Sequence, residues 1–188
     1  MIAVLLSGTG RSLVNLIDCG FKDLIAWVGT HPKTANCKGV EYAISQGIKT
    51  ISTEEVFEFA RISGVELIVL AGYIQKLIIP SDYEGKVINI HPSLLPSFGG
   101  KGMYGMNVHK AVIESGVKVS GCTVHYVTNE YDKGPIILQR VVFLENEDTF
   151  GTLANKVFEE EKIALPHAIN LHLSHKLIIN ENRVLWRE

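Results

Sequence analysis

The chain has 188 residues, of which 46% are hydrophobic and 20% are charged, and its formal net charge is −2 at pH 7. This length suits a single domain over residues 1–188, because chains of this size bury roughly 70% of the surface that they expose when unfolded. The charge balance argues against nucleic acid as a partner, and no apolar stretch is long enough to cross a membrane. Cys19, Cys37 and Cys122 are odd in number and lack metal-ligand spacing, which indicates reduced thiols and a cytoplasmic location.

The N-terminal segment predicts a strand, a glycine-rich turn and a helix in succession. Residues 2–6 are apolar, Ser7-Gly8-Thr9-Gly10-Arg11-Ser12 follows, and the next apolar residues have helical spacing as far as Gly20. Such a turn presents backbone N–H groups and a helix dipole to an anion. A Walker A loop is excluded because its Lys and Ser/Thr do not follow, and the dinucleotide pattern lacks its third glycine. A small phosphate monoester fits this loop better than a nucleotide, and a plain strand–helix turn is the alternative interpretation.

The chain then alternates between strand and helix patterns as far as residue 90. Strands are predicted over residues 25–29, 49–51, 65–71 and 86–90, and helices over 40–46 and from a Ser52–Glu55 capping box to about Ser63. This alternation implies a mostly parallel sheet with right-handed crossovers.

Two polar segments follow the carboxyl ends of predicted strands, where ligands bind in open α/β sheets. In the first, residues 72–77, Tyr73 could line a pocket for a flat heterocycle or simply pack. In the second, residues 89–96, two prolines end the strand near His91, so Asn89 and His91 leave it on the same side. An amide can donate to a developing oxyanion, and an imidazole can donate or move a proton near neutral pH. The alternative interpretation is a strand end at which Asn89 caps a turn and His91 simply has its hydrogen bonds satisfied.

The following segment predicts a loop, a helix and a pair of strands. Four glycines make residues 97–106 a candidate lid, and Asn107 is expected to cap a helix that ends at Gly116. Strand patterns over 121–127 and 134–142 flank an acidic turn and add an antiparallel edge.

The C-terminal segment predicts a long helix and a hairpin. The helix starts at Thr149 and is expected to kink or restart at Pro166, and the hairpin joins residues 176–179 to 183–186. The predicted fold class is therefore α/β, with an open, mostly parallel twisted sheet, helices on both faces and an antiparallel edge.

Five short blocks occur in a fixed order along essentially the whole chain. They are Ser7–Gly10, Ala71–Tyr73, Asn89–Pro96, Gly121–His125 and Asp132–Gln139. Together they resemble the folate-dependent phosphoribosylglycinamide formyltransferase family of purine synthesis. The resemblance implies a Rossmann-like formyltransferase fold and formyl transfer from the cosubstrate 10-formyltetrahydrofolate to the amine of phosphoribosylglycinamide. It implies no metal and no covalently bound cofactor, and it is compatible with a monomer or a homodimer.

The resemblance also implies roles for individual residues. The catalytic residues would be Asn89, His91 and Asp132. The substrate phosphate would bind Gly8, Thr9, Gly10, Arg11 and Ser12. The folate would bind Tyr73, Ile74, Gln75, Lys76, Leu77, Asn89, Val127, Asn129 and Asp132. The ribose and glycinamide would contact Glu161 and Ile90, and the site would be supported by Thr123 and His125.

The chemistry of an amine attacking a formamide agrees with these residue types. The reaction forms a tetrahedral oxyanion, breaks a C–N bond and relocates a proton. Asn89 and a protonated His91 would stabilise the oxyanion, each by roughly 3–4 kcal/mol. Asp132 beside His91 would favour the protonated imidazole and help to pass the proton. The alternatives are a 10-formyltetrahydrofolate deformylase and a formyltransferase acting on another amine.

Overall fold

The computed structural model describes residues 1–187. The chain divides into two compact units, the first over Met1–Asn89 and the second starting at Ile90. Within the described residues, no helix is both long enough and apolar enough to cross a membrane.

The first unit is an α/β unit whose strands run parallel to one another. Its elements are β1 (Ile2–Leu5), α1 (Arg11–Asp18), β2 (Ile25–Thr30), α2 (Lys38–Ser45), β3 (Thr50–Ser52), α3 (Val56–Ile62), β4 (Leu67–Leu70) and β5 (Val87–His91). The last two residues of β5 already belong to the second unit. The strand order is β3-β2-β1-β4-β5, and Val4 of β1 pairs with Val28 on one side and Val69 on the other. Every residue of β1 and β4 is buried, as expected for central strands covered on both faces.

The second unit is dominated by antiparallel pairs and one long helix. Its elements are α4 (Met106–Ser115), β6 (Val119–Tyr126), β7 (Ile136–Phe143), α5 (Phe150–Leu173), β8 (Leu177–Asn180) and β9 (Arg183–Trp186). Strands β6 and β7 pair antiparallel, as do β8 and β9, whereas β7 and β9 run parallel. Helix α5 contacts β6, β7 and α4. Among its buried residues, Leu153 lies four residues before Val157 and Leu165 four residues before Ile169, so the two members of each pair lie on the same side of the helix.

The predicted α/β class is therefore confirmed, with parallel strands followed along the chain by an antiparallel pair and a terminal hairpin. One helix prediction in the second unit, the Asn107 cap, is wrong, and of the kink or restart predicted at Pro166 the restart is absent. Helix α4 begins at Met106 rather than behind an Asn107 cap, because the chain enters it through Gly105 at φ +54°, ψ −133°, a backbone region that essentially only glycine adopts. Helix α5 continues through Pro166 without a restart. Pro166 and its neighbour Leu165 are buried, and this packing offsets a cost of about 3 kcal/mol for an interior proline.

The predicted capping box at Ser52 is also only partly present. Ser52 Oγ accepts a hydrogen bond from the Glu54 N–H at 3.4 Å, but the next three residues form a 3₁₀ turn (Thr53–Glu55) and α3 starts only at Val56. Tight turns of this kind are common at helix N-termini, so a cap residue in the sequence locates the turn but not its type.

Candidate active site

The glycine-rich turn of the first unit is a tightly packed backbone corner between β1 and α1. Helix α1 begins at Arg11, directly after Gly10, which has a φ of +77°. The Gly39 N–H donates to the Gly8 carbonyl at 3.0 Å. Arg11 and Ser12 therefore lie in the first helical turn, where N–H groups lack an acceptor within the helix and the dipole is positive. The strand–turn–helix arrangement predicted from the sequence is present.

The predicted folate segment follows β4 as an irregular stretch. The Tyr73 hydroxyl is hydrogen-bonded to Thr53 Oγ1 at 2.8 Å, and burial raises the pKa of Tyr73. The Ile74 N–H donates to Ser7 Oγ at 3.3 Å, which links this segment to the residue preceding the glycine turn. Lys76 is exposed, whereas Gln75 and Leu77 are half-buried. The Tyr73 ring is thus held in place while the residues after it face solvent in part.

Three titratable side chains meet in the second unit. His91 ends β5, His125 lies in β6, and Asp132 lies in the turn between β6 and β7. Nδ1 of His91 and Nε2 of His125 are each 3.7 Å from the same oxygen, Oδ1 of Asp132. Both imidazoles are buried and the Asp132 side chain is 13% exposed. Of the residues expected to act in or support catalysis, these three converge around one carboxylate oxygen.

The hydrogen bonds of the two imidazoles fix where their protons lie. His91 Nε2 is 2.9 Å from the Phe98 carbonyl oxygen, and His125 Nδ1 is 2.9 Å from the Tyr126 carbonyl oxygen. A carbonyl only accepts, so each of these nitrogens carries a hydrogen. The nitrogens that face Asp132 therefore gain a proton only when the ring becomes an imidazolium. Burial lowers the pKa of His125, which disfavours this ring as a charged partner of the carboxylate.

The glycine-rich segment expected as a lid supplies backbone groups to this cluster. The Gly100 N–H donates to Oδ2 of Asp132 at 2.8 Å, while the Phe98 carbonyl accepts from His91. Asp132 itself has a φ of +54°, a conformation that Asp adopts more readily than most residues other than glycine. Sequence reasoning missed Phe98 and Gly100, because both act through the main chain and no residue pattern marks such a role.

A second network holds the turn that follows His91. Thr123 Oγ1 donates to the Ser93 carbonyl at 2.6 Å and accepts from the Leu95 N–H at 3.0 Å. Gln139 Nε2 donates to both Thr123 Oγ1 and the Leu95 carbonyl, each at 3.0 Å. Thr123 therefore supports the residues after His91, and Gln139, to which the sequence assigned no role, does the same.

The remaining predicted site residues lie on several elements. Asn89 is half-buried in β5, two residues before His91, and Ile90 between them is buried. Val127 and Glu161 are half-buried, and Asn129 is exposed. Within residues 1–187, no group of three or more His, Cys, Asp or Glu side chains is arranged to hold a metal ion.

Residues 1–169 match the formyl transferase family. This chain belongs to that family. As a formyl transferase, it is similar to two plant proteins named "Phosphoribosylglycinamide formyltransferase, chloroplastic". The protein from Arabidopsis thaliana is 39% identical over 170 residues, and the protein from Vigna unguiculata is 37% identical over 205 residues. These alignments cover 81% and 100% of this chain, which spans 55% and 63% of the length of the two relatives.

Solved structures show the same similarity in three dimensions. The crystal structure of glycinamide ribonucleotide transformylase 1 from Symbiobacterium toebii has a TM-score of 0.89 and 33% identity, covering 100% of this chain and 93% of that protein. A formyltetrahydrofolate deformylase from Pseudomonas syringae has a TM-score of 0.82 and 26% identity, covering 100% of this chain but 66% of that protein. The Rossmann-like formyltransferase fold expected from the sequence is thereby confirmed.

Proposed function

We propose that this formyl transferase moves the formyl group of 10-formyltetrahydrofolate to the amine of 5′-phosphoribosylglycinamide and so forms formylglycinamide ribonucleotide in purine biosynthesis. The observation that carries the proposal is the placement of His91 against Asp132, in a chain whose relatives are named for this activity. Folate is a cosubstrate in this proposal, and the reaction uses no covalent intermediate on the protein.

The reaction exchanges one C–N bond for another. The glycinamide nitrogen attacks the formyl carbon, and a tetrahedral species with an oxyanion forms. The bond from that carbon to N10 of the folate then breaks, and the proton lost by the attacking amine ends on the leaving nitrogen. The protein must therefore stabilise one negative oxygen and help to relocate one proton.

His91 would supply the donor to the oxyanion. Its Nε2–H is directed at the Phe98 carbonyl oxygen, an acceptor of the same kind as a formyl oxygen, so the substrate oxygen would replace Phe98 at this position. Asp132 would stabilise the imidazolium through Oδ1, and the Gly100 N–H holds the other carboxylate oxygen. A preorganised donor of this kind contributes about 3–4 kcal/mol when tested by removal.

Asn89 would supply a second donor. It precedes His91 by two residues on β5, and side chains two residues apart leave a strand on the same side. Its amide group can donate a hydrogen bond without a change of charge.

The remaining residues would bind the two substrates. At the phosphate, the N-terminus of α1 would act with Gly8, Thr9, Gly10, Arg11 and Ser12. The folate would contact Tyr73, Ile74, Gln75, Lys76, Leu77, Val127 and Asn129. The ribose and glycinamide would contact Ile90 and Glu161. We also propose a cytoplasmic location, because the cysteine pattern is typical of proteins with reduced thiols.

The experiment is an assay of the purified protein with both substrates, followed by mass detection of the product. Formylglycinamide ribonucleotide is the expected product. Formate released at the same rate without an acceptor would instead identify a deformylase, and formylation of a different amine would identify another transferase. The Gly10→Val variant is expected to weaken binding of the ribonucleotide more than binding of folate, whereas an equal loss of both would place the phosphate elsewhere.

A further inference from the structure

Helix α2 contacts the glycine-rich turn through the backbone of a glycine residue. Gly39 is the second residue of α2 and is buried, and its N–H donates to the Gly8 carbonyl at 3.0 Å. A Cβ atom added to Gly10 would lie only 2.6 Å from the Gly39 Cα. The two glycine backbones are therefore in direct contact, with no space for a side chain between them.

The requirement for glycine at position 39 is steric. Gly39 lies within α2 and is absent from the positive-φ positions of the chain, so alanine could adopt its backbone conformation. A Cβ atom at this position, however, would lie 2.8 Å from Leu6 Cδ1 and 3.0 Å from the Gly10 Cα. Leu6 is fully buried, and close-packed interiors give little room for a side chain to move aside. The displacement would therefore pass to Gly10 and to the turn around it.

We propose that Gly39 is a positioning residue that sets the position of the turn Gly8–Gly10 and thereby the affinity of the protein for the phosphate end of its substrate. The inference rests on the proposed phosphate-binding role of this turn. Hydrogen bonds from N–H groups to oxygen hold over a narrow range of about 2.7–3.2 Å. A shift of a few tenths of an ångström at Gly10 therefore weakens several such bonds to one phosphate at once.

The test compares Gly39→Ala with a matched control, Gly151→Ala. Gly151 is likewise the second residue of its helix, α5, but a Cβ atom there would meet only Thr149 Oγ1 at 3.7 Å, an ordinary contact. Isothermal titration would measure binding of phosphoribosylglycinamide alone, and steady-state kinetics would give the KM of each substrate and kcat. For Gly39→Ala we expect the dissociation constant of the ribonucleotide to rise about tenfold, with kcat and the KM of folate changed less than about twofold. Gly151→Ala is expected to match the wild type.

Two outcomes would overturn the inference. One is unchanged ribonucleotide binding in folded Gly39→Ala protein, and the other is an equal loss of affinity for both substrates, which indicates general structural damage. If wild-type protein neither binds nor formylates the ribonucleotide, the proposed function fails and the inference fails with it.

A measurement on the wild-type protein covers the case in which Gly39→Ala does not fold. Amide hydrogen exchange followed by NMR would report the Gly39 N–H, which is bonded to Gly8. Saturating phosphoribosylglycinamide is expected to slow exchange at Gly39 at least tenfold, and saturating folate is expected to leave it unchanged. An unchanged rate with the ribonucleotide would overturn the inference.

Discussion

The glycine corner of the first unit (Gly8–Gly10 with Gly39) and the histidine–aspartate cluster of the second unit (His91, His125 and Asp132) are built in opposite ways. The corner is backbone against backbone: Gly10 meets Gly39 without an intervening side chain, and a main-chain hydrogen bond joins Gly39 to Gly8. The cluster is made of side chains, because two imidazoles face one oxygen of Asp132. Main-chain groups bind the other side of these side chains: the Phe98 carbonyl accepts from His91, and the Gly100 N–H donates to Asp132.

This difference predicts how each region responds to mutation. The corner depends on shape, so the addition of one carbon atom should damage it whatever the charge of the residue. The cluster depends on charge and hydrogen bonding, so a substitution that preserves shape should be enough to inactivate it. The following variants are chosen to separate these two kinds of sensitivity.

The largest effect is expected from Asp132→Asn, which changes charge but hardly changes shape. Asn also tolerates the φ of +54° at this position, and its carbonyl oxygen can still accept from the Gly100 N–H. It cannot stabilise an imidazolium at His91, so turnover should fall by about 10²–10⁴-fold with little change in melting temperature. Steady-state kinetics and thermal denaturation would check this against Asp23→Asn at an exposed position. Retained activity would show that Asp132 serves only the turn.

The next largest effect is expected from Thr123→Val, which again preserves shape. The substitution removes the hydroxyl that bonds the Ser93 carbonyl, the Leu95 N–H and Gln139. Each buried group left without a partner costs about 1–3 kcal/mol, so the free energy of unfolding should fall by about 2–4 kcal/mol. Urea denaturation would measure this loss beside Thr123→Ser, which keeps the hydroxyl and removes a methyl group. A smaller loss for Val than for Ser would mean that packing, not hydrogen bonding, holds the turn.

Gly10→Ala tests the corner through shape alone. Gly20 provides a control, because it also has a positive φ, +85°, but a Cβ atom there would meet nothing within 4 Å. Gly20→Ala should cost only the left-handed conformation, about 1–2 kcal/mol. Gly10→Ala should cost about 1–3 kcal/mol more, because its Cβ atom would overlap Gly39. Equal losses in chemical denaturation would show that the corner can relax and does not depend on this contact.

The amino-acid sequence predicts the residues of the two regions better than it predicts the contacts that position them. Apolar runs such as residues 65–71 predicted a buried central strand, and β4 is one. The turn at Gly8–Gly10 stood out through its strand–turn–helix pattern, His91 through its place at a strand end, and Asp132 through the family resemblance. The contacts that position them did not, because they join segments far apart in sequence and use atoms common to every residue.

Two residues illustrate that limit. Gly39 immediately precedes the helix predicted over residues 40–46, and nothing marks it as important until its distance from Gly10 is known. Phe98 enters the cluster through its carbonyl oxygen, so its aromatic side chain gave no indication of the role. Pro166 shows the opposite limit, because a residue that typically ends a helix lies inside an uninterrupted α5, where it is buried.

The smallest expected effect is on the pH dependence of the unfolding free energy, which should change on mutation of the cluster but not of the corner. Burial lowers the pKa of His125, so below the unfolded-state value of about 6.5 the unfolded chain binds more protons at this residue than the native protein. The stability associated with neutral His125 is therefore present above that pH and is lost as the pH falls, by at most about 1.4 kcal/mol per pH unit. His125→Gln should flatten the dependence of the unfolding free energy on pH between 7.5 and about 5.5, whatever its own stability. Gly10→Ala introduces no titratable group, so its curve should run parallel to that of the wild type. If the His125→Gln curve also runs parallel, His125 is not held neutral by burial.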